Sequence, residues 1–155
     1  MSDFAQAVAV TLHNEGGYSN SPNDSGGETK YGITQADMPG ADIAMLSVIE
    51  ATDYYREHYW KPLYSQIGSQ MVAGKLFDLG VLFGIGTVVK VIQSLLPVVV
   101  DGVFGPQTLA EVNAADAGPL LSHFKSAMQA HAHDVVMRNP KDGVFLQGWL
   151  NRIGS

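Results

Sequence analysis

Glu15 stands where a helical pattern runs into Gly16-Gly17, and a polar, glycine-rich stretch follows as far as Thr34. A carboxylic acid at such a helix end can do one demanding piece of chemistry. A glycosidic oxygen is a poor leaving group until it is protonated, so its cleavage needs an acid that still holds its proton near neutral pH. Apolar surroundings and the negative end of a helix both disfavour a charged carboxyl. Phe4, Val8 and Leu12 repeat every fourth residue, and Glu15 extends that stripe three residues on. The reading therefore puts Glu15 under both influences.

A second group must hold water or stabilise charge on the sugar. Asp24, nine positions after Glu15 in the polar loop, is one candidate, with Glu28 as an alternative base and Thr29 as a water holder. Two carboxyls about 6.5–9.5 Å apart would invert the anomeric centre, and about 5–5.5 Å would retain it. Tyr18 and Tyr31 flank the loop and are the candidate sugar contacts, whereas Tyr59 and Trp60 fit core packing. Turn and surface roles compete for these residues, since Asn, Asp and Ser populate turns and glutamates populate surfaces.

The elements that position these groups read as helices. Ser2 is the expected N-cap of the first. Ser47-Val-Ile-Glu50 has the capping-box pattern for a helix through about Trp60, closed by Pro62. The next helix runs through Met71 to Phe83 and breaks at Gly84-Ile-Gly86, after which Thr87 is the expected cap of a helix ending before Pro97. Pro106 opens a short helix through about Asn113. Pro119 opens a long one to about Met137, with Leu120, Phe124, Met128, His131 and Val135 on one side. Phe145, Leu146, Trp149, Leu150 and Ile153 make the apolar face of a last helix after the Asp142-Gly143 turn. The fold class expected is all-α, with room for a short β-hairpin in the 16–34 loop. Two lobes, 1–86 and 87–155, are expected to share one core.

Composition narrows the partners. The chain has 155 residues, 46% hydrophobic and 15% charged, enough for a core and too little charge for disorder. Cysteine is absent, so disulfides and thiolate metal sites are excluded. His131 and His133 face different sides of a helix and do not chelate one ion, so neither a metal nor another cofactor is expected. A formal charge of −6 argues against nucleic-acid or anionic-membrane binding. The start, Met-Ser-Asp-Phe-Ala-Gln, lacks the basic and apolar regions of a signal peptide, and the apolar run from Val81 to Val100 is interrupted too often to span a bilayer. A monomer without stable membrane insertion is expected.

Glu15-Gly-Gly-Tyr18 and Asp24-Ser-Gly-Gly-Glu-Thr-Lys-Tyr-Gly-Ile-Thr34 resemble the signature of the phage and bacterial N-acetylmuramidases of glycoside hydrolase family 108. Tyr55-Arg-Glu-His-Tyr-Trp-Lys-Pro-Leu63 and Phe145-Leu-Gln-Gly-Trp-Leu-Asn-Arg152 extend the resemblance over nearly the whole chain. It implies a lysozyme-like helical fold, peptidoglycan as partner and Glu15 as catalytic acid. The Asp24–Thr29 interval is one residue shorter than in the better-known phage lysozymes with a Glu, Asp and Thr site, so Glu15 alone is carried over. Asp101-Gly-Val-Phe-Gly-Pro-Gln-Thr108 is similar to a turn of peptidoglycan-binding helical modules. Leu82 departs from the family, which often has a polar residue in that helix.

The resemblance implies an endolysin cleaving the β-1,4 bond after N-acetylmuramic acid, held in the host cytoplasm until a holin opens the membrane. Release of a secreted protein through the wall fits the same chemistry. A non-catalytic wall-binding or secretion-accessory protein and a lytic transglycosylase stand as alternatives.

Overall fold

A computed structural model describes residues 1–20 and 28–155. Asp24 therefore lies outside the described residues. The helices, in chain order, are α1 (Phe4–Glu15), α2 (Val48–Tyr59), α3 (Gln70–Phe83), α4 (Ile85–Gln93), α5 (Pro106–Ala114), α6 (Ala117–Arg138) and α7 (Leu146–Gly154). Short 3₁₀ helices at Pro62–Gln66 and Pro140–Phe145 lead into α3 and α7. The described β-structure is a hairpin of β1 (Thr29–Lys30) and β2 (Ile33–Thr34), with an isolated bridge from Ser19 to Thr29. The all-α expectation with one small hairpin holds.

The capping box reads as expected. Ser47 accepts from the Glu50 amide, and the Glu50 carboxylate accepts from the Ser47 amide at 2.8 Å. Other boundaries moved. Asp3, not Ser2, caps α1 by accepting from Ala5 at 2.7 Å. The Ser2 hydroxyl instead donates to the Ile67 carbonyl at 2.7 Å and ties the chain start to the turn before α3. Gly84 alone, at φ 87°, caps both the end of α3 and the start of α4, so Thr87 lies inside the helix, three residues past the actual cap. Asp116, not Pro119, starts α6, accepting from Gly118 at 3.2 Å. A carboxylate ahead of a helix competes well for its free amides, and Pro119 fits the first turn without an N–H to satisfy.

The core is centred on α3, which packs against α1, α2, α4 and α6. It is apolar almost all round, as a central helix must be, and Leu76, Phe77 and Leu79 are fully buried. Phe77 meets Phe4, Tyr55 and Trp60 edge-on, the arrangement that ring quadrupoles favour. Trp60 donates its indole N–H to Ser65 at 3.0 Å and is partly buried against this cluster together with Tyr59. On the other side, α6 buries Leu120, Phe124, Met128 and Ala132. His131 and Val135 lie at the edge of that face, and Phe83 packs edge-on to the His131 ring at 5.6 Å. In α7, Ile153 is fully buried whereas Phe145, counted in the sequence as part of its apolar face, is 56% exposed.

Gln93 pins the turn before α5. Its amide nitrogen donates to Asp101 at 2.8 Å, the Val103 carbonyl and Thr108, and its oxygen accepts from the Asp101 and Gly102 amides. The Asp-Gly-x-x-Gly-x-x-Thr turn thus closes on a buried glutamine whose polar valences are filled. Each side-chain hydrogen bond here replaces one to water, so the network yields specificity of shape more than net energy.

The aromatic layer of α2 has a consequence in alkali. Burial pushes the Tyr54 phenol up to about 12 from its ordinary 10, with the Asp37 charge adding to it. Burial likewise raises Tyr55, Tyr59 and Tyr64. A raised phenol means that the folded protein keeps protons that the unfolded chain releases near pH 10. The stability they contribute is fully present below about pH 10 and is lost as pH rises toward 12 and beyond. Ultraviolet difference titration is expected to show Tyr54 ionising near pH 12. Ionisation of all six tyrosines together near their ordinary value, with the fold intact, would contradict this packing.

Candidate active site

Glu15 is the last residue of α1, and Gly16 follows at φ 77°, a left-handed conformation that lets the chain leave at once. The apolar setting expected for its carboxylate is corrected by the structure. Arg152 Nη1 donates to Glu15 Oε1 at 2.6 Å. The guanidinium of α7 reaches this point by lying against α3, where Asp78 is 1% exposed. Nε donates to Asp78 Oδ2 at 3.1 Å and Nη2 to Oδ1 at 2.9 Å, a bidentate fork. Thr11 donates to the same Asp78 oxygen at 2.8 Å, and Asn14 adds longer contacts. Burial opposes the charge on Arg152, but hydrogen bonds and attraction from Asp78 and then Glu15 outweigh it, so its pKa lies above the ordinary value.

The other wall of the site is the hairpin turn. Tyr31 and Gly32, the two residues between the strands, have φ of 53° and 77°, the mirror-image turn that suits strand twist. Tyrosine is costly there, by about 1–2 kcal/mol for the left-handed conformation. Tyr55 holds the turn in place by donating from its hydroxyl to the Tyr31 carbonyl at 2.6 Å. Gly32 then lies directly over Glu15. A Cβ at residue 32 would overlap Glu15 Oε2 and stand 2.8 Å from the Tyr55 hydroxyl. The turn thus requires glycine for two reasons, backbone conformation and close approach.

The proposed second groups sit elsewhere on this hairpin. Glu28 accepts from the Tyr18 hydroxyl at 2.6 Å, and Tyr18 is 48% exposed. Thr29 lies in β1, pairs with Ser19 through the backbone at 2.8 Å, and its hydroxyl makes a long 3.5 Å contact to the Ser19 carbonyl. Among the described residues, neither Glu28 nor Thr29 is hydrogen-bonded to Glu15. Tyr31 is partly buried, with the Lys30 ammonium 5.6 Å from its ring.

Four residues of this site escaped the sequence reading as such. Arg152 was visible only as the end of a motif. Asp78 carried a usable signal, a lone carboxylate inside an apolar helix that must find a cation or be expelled. Tyr55 was one tyrosine among several, and Gly32 one glycine among seventeen. Leu82 lies beside this network, in a groove with Asn14, Trp149 and Arg152.

A helix-end carboxylate, gripped on one oxygen and facing a tight hairpin turn, within a helical frame, defines a lysozyme-like glycoside hydrolase. The family model described as Glycosyl hydrolase 108 matches residues 8–84, and one described as Predicted Peptidoglycan domain matches residues 87–154. The solved "Structure of Brucella abortus SagA" is similar at 30% identity and a TM-score of 0.80, over 97% of this chain and 89% of that one. No match is found among curated proteins. The chain belongs to the glycosyl hydrolase 108 family and is a peptidoglycan hydrolase.

Gly32→Ala tests the close approach. It is expected to destabilise the fold by about 1–2 kcal/mol through the turn conformation. Displacing the Glu15 carboxylate should also lower the rate of peptidoglycan clearing on the order of 100-fold. Full activity in a folded Gly32→Ala protein would show that the turn does not set the position of the carboxylate.

Proposed function

We propose that the protein is an N-acetylmuramidase of the endolysin type. It cleaves the β-1,4 bond between N-acetylmuramic acid and N-acetylglucosamine, with Glu15 as the acid. The observation that carries this reading is the asymmetric grip on Glu15: Oε1 is taken by Arg152, while Oε2 lies against the Gly32 turn with no hydrogen-bond partner among the described residues. A proton delivered to a leaving oxygen would come from Oε2. The Asp78–Arg152–Glu15 group carries one net negative charge when all three are ionised, so protonating Glu15 leaves it neutral. The guanidinium, already matched by Asp78, then donates to a neutral acid.

A second group, Asp24 or Glu28, would activate water or balance charge on the sugar, with Thr29 available to hold the water. Tyr18, on the exposed edge of the hairpin, and Tyr31, at its tip, offer ring faces to sugar C–H surfaces. The chain divides in this reading into a catalytic lobe, residues 1–86, and a wall-binding lobe, residues 87–155, working as a monomer. In a lytic role the enzyme waits in the host cytoplasm and meets the wall once the membrane has been opened.

Mass spectrometry of muropeptides released from purified peptidoglycan tests the reaction. Wild type is expected to yield intact muramic acid reducing ends, and Glu15→Gln to lose at least about 100-fold in rate, in line with general acid catalysis worth 10²–10⁴. Anhydro ends would assign a lytic transglycosylase instead. Release of nothing by wild type would leave a wall-binding or secretion-accessory role, and a fully active Glu15→Gln would remove Glu15 as the acid.

A further inference from the structure

Lys75 is the other buried charge of α3. It is 8% exposed in a helix that is apolar almost all round, and lysines seldom accept such a place unless they are paired. Burial lowers its ammonium from the ordinary pKa, with Lys125 and Arg152 adding to the shift and Asp78 opposing it. Asp78 lies three residues further along α3, so the two side chains leave the same face of the helix. Both go to one residue. Asp78 takes the Arg152 guanidinium through the fork, and Lys75 Nζ donates to the Arg152 backbone carbonyl at 3.0 Å.

That carbonyl belongs to the last turn of α7, where helix geometry leaves carbonyls without amide partners. The Ser155 amide takes the Asn151 carbonyl, and the Ser155 hydroxyl shares the Arg152 carbonyl with Lys75, donating at 2.9 Å. Lys75 also makes a longer contact of 3.4 Å to that hydroxyl. Lys125 of α6 donates to the Gly154 and Ser155 carbonyls at 3.0 and 2.8 Å. Two lysines thus close the negative end of one helix, as cations favour, but they hold different parts. Lys125 holds carbonyls beyond Arg152, and Lys75 holds the Arg152 peptide itself. An arginine side chain is long and rotatable, so a fork on its tip alone leaves slack between tip and backbone. We infer that Lys75 is a positioning residue for the acid: it pins the Arg152 backbone to the turn of α3 that also grips the guanidinium, and so sets how far Nη1 reaches toward Glu15. The inference rests on the glycan-cleaving reading above and deepens it by naming what places the arginine. Among the described residues Lys75 has no hydrogen bond to Glu15, and it acts through Arg152.

Three variants separate this role from simple helix capping. Lys75→Met keeps most of the apolar stem and removes the donor, while the Ser155 hydroxyl still serves the carbonyl. Its kcat on soluble peptidoglycan is expected to fall on the order of tenfold with KM little changed. Lys75→Arg restores a charged donor, and the groove of about 410 Å³ beside Lys75 has room for the longer side chain. A point contact to one carbonyl needs no fork, so this variant should return to within about threefold of wild-type kcat. Lys125→Met removes the other cap and should leave kcat unchanged. The Arg152 Nε–H resonance of ¹⁵N-labelled protein, assigned through its loss in Arg152→Lys, reads the arginine independently of turnover. Its exchange with water is expected to quicken at least about tenfold in Lys75→Met and to stay as in wild type in Lys125→Met. Wild type itself should show a Lys75 ammonium resonance coupled through the hydrogen bond to the Arg152 carbonyl carbon, and lack of that coupling would overturn the contact whether or not a variant folds. Wild-type kcat and exchange in folded Lys75→Met, equal losses in Lys75→Met and Lys125→Met, or no recovery in Lys75→Arg would overturn the positioning role. Wild type that hydrolyses nothing would remove the proposed reaction, and the Arg152 exchange rates would still decide whether Lys75 holds the arginine.

Discussion

The Arg152 guanidinium, shared between Asp78 and Glu15, is the interaction on which this structure depends. Three helices that are far apart in sequence meet in it, with α1 bringing Glu15, α3 bringing Asp78 and α7 bringing the arginine. Such a charge inside protein is tolerable only when fully paired, and removing one partner of a buried pair costs about 3–5 kcal/mol. Here the pairing is nearly complete, for Asp78 takes the fork and also accepts from Thr11. Nη2 also donates to the Asp78 backbone carbonyl at 3.3 Å, and Nη1 is left to donate to Glu15. The same contact that fastens α7 to the body therefore fixes one oxygen of the candidate acid.

The hairpin completes the constraint from the opposite side. Tyr31 holds a backbone conformation that a tyrosine rarely takes, and the Tyr55 hydroxyl keeps its carbonyl in place. Local strain of this sort persists when surrounding contacts over-determine it, and it gathers at functional sites. Its result is that Gly32, without a side chain, closes over Glu15 without covering it. A carboxylate at a free helix end would sample many rotamers. Between the arginine and the turn, that freedom is narrowed.

Features that are local in sequence were legible, and those that join distant segments were not. The Ser47–Glu50 capping box needs only four residues, and it formed as read. Glu15 at the end of α1 followed from the Gly16-Gly17 break, and the hairpin fell within the 16–34 loop. The apolar stripe of α1, in contrast, suggested a dry setting for Glu15, because nothing near residue 15 announces an arginine 137 positions away. Helix starts at Ser2, Thr87 and Pro119 went wrong for a simpler reason. Neighbouring Asp3, Gly84 and Asp116 were as good or better as caps, and tertiary contacts chose among them.

Arg152→Lys probes the central claim most directly, since an ammonium keeps the charge but cannot grip Asp78 with a fork while also holding Glu15. The measurement is steady-state hydrolysis of soluble peptidoglycan, with the folded fraction checked by circular dichroism at the assay temperature. The expected result is a fall in kcat of roughly 10–100-fold with KM little changed, because the acid is misplaced while the sugar contacts remain. A folded Arg152→Lys protein with wild-type kcat would contradict the claim that this arginine sets the acid in place.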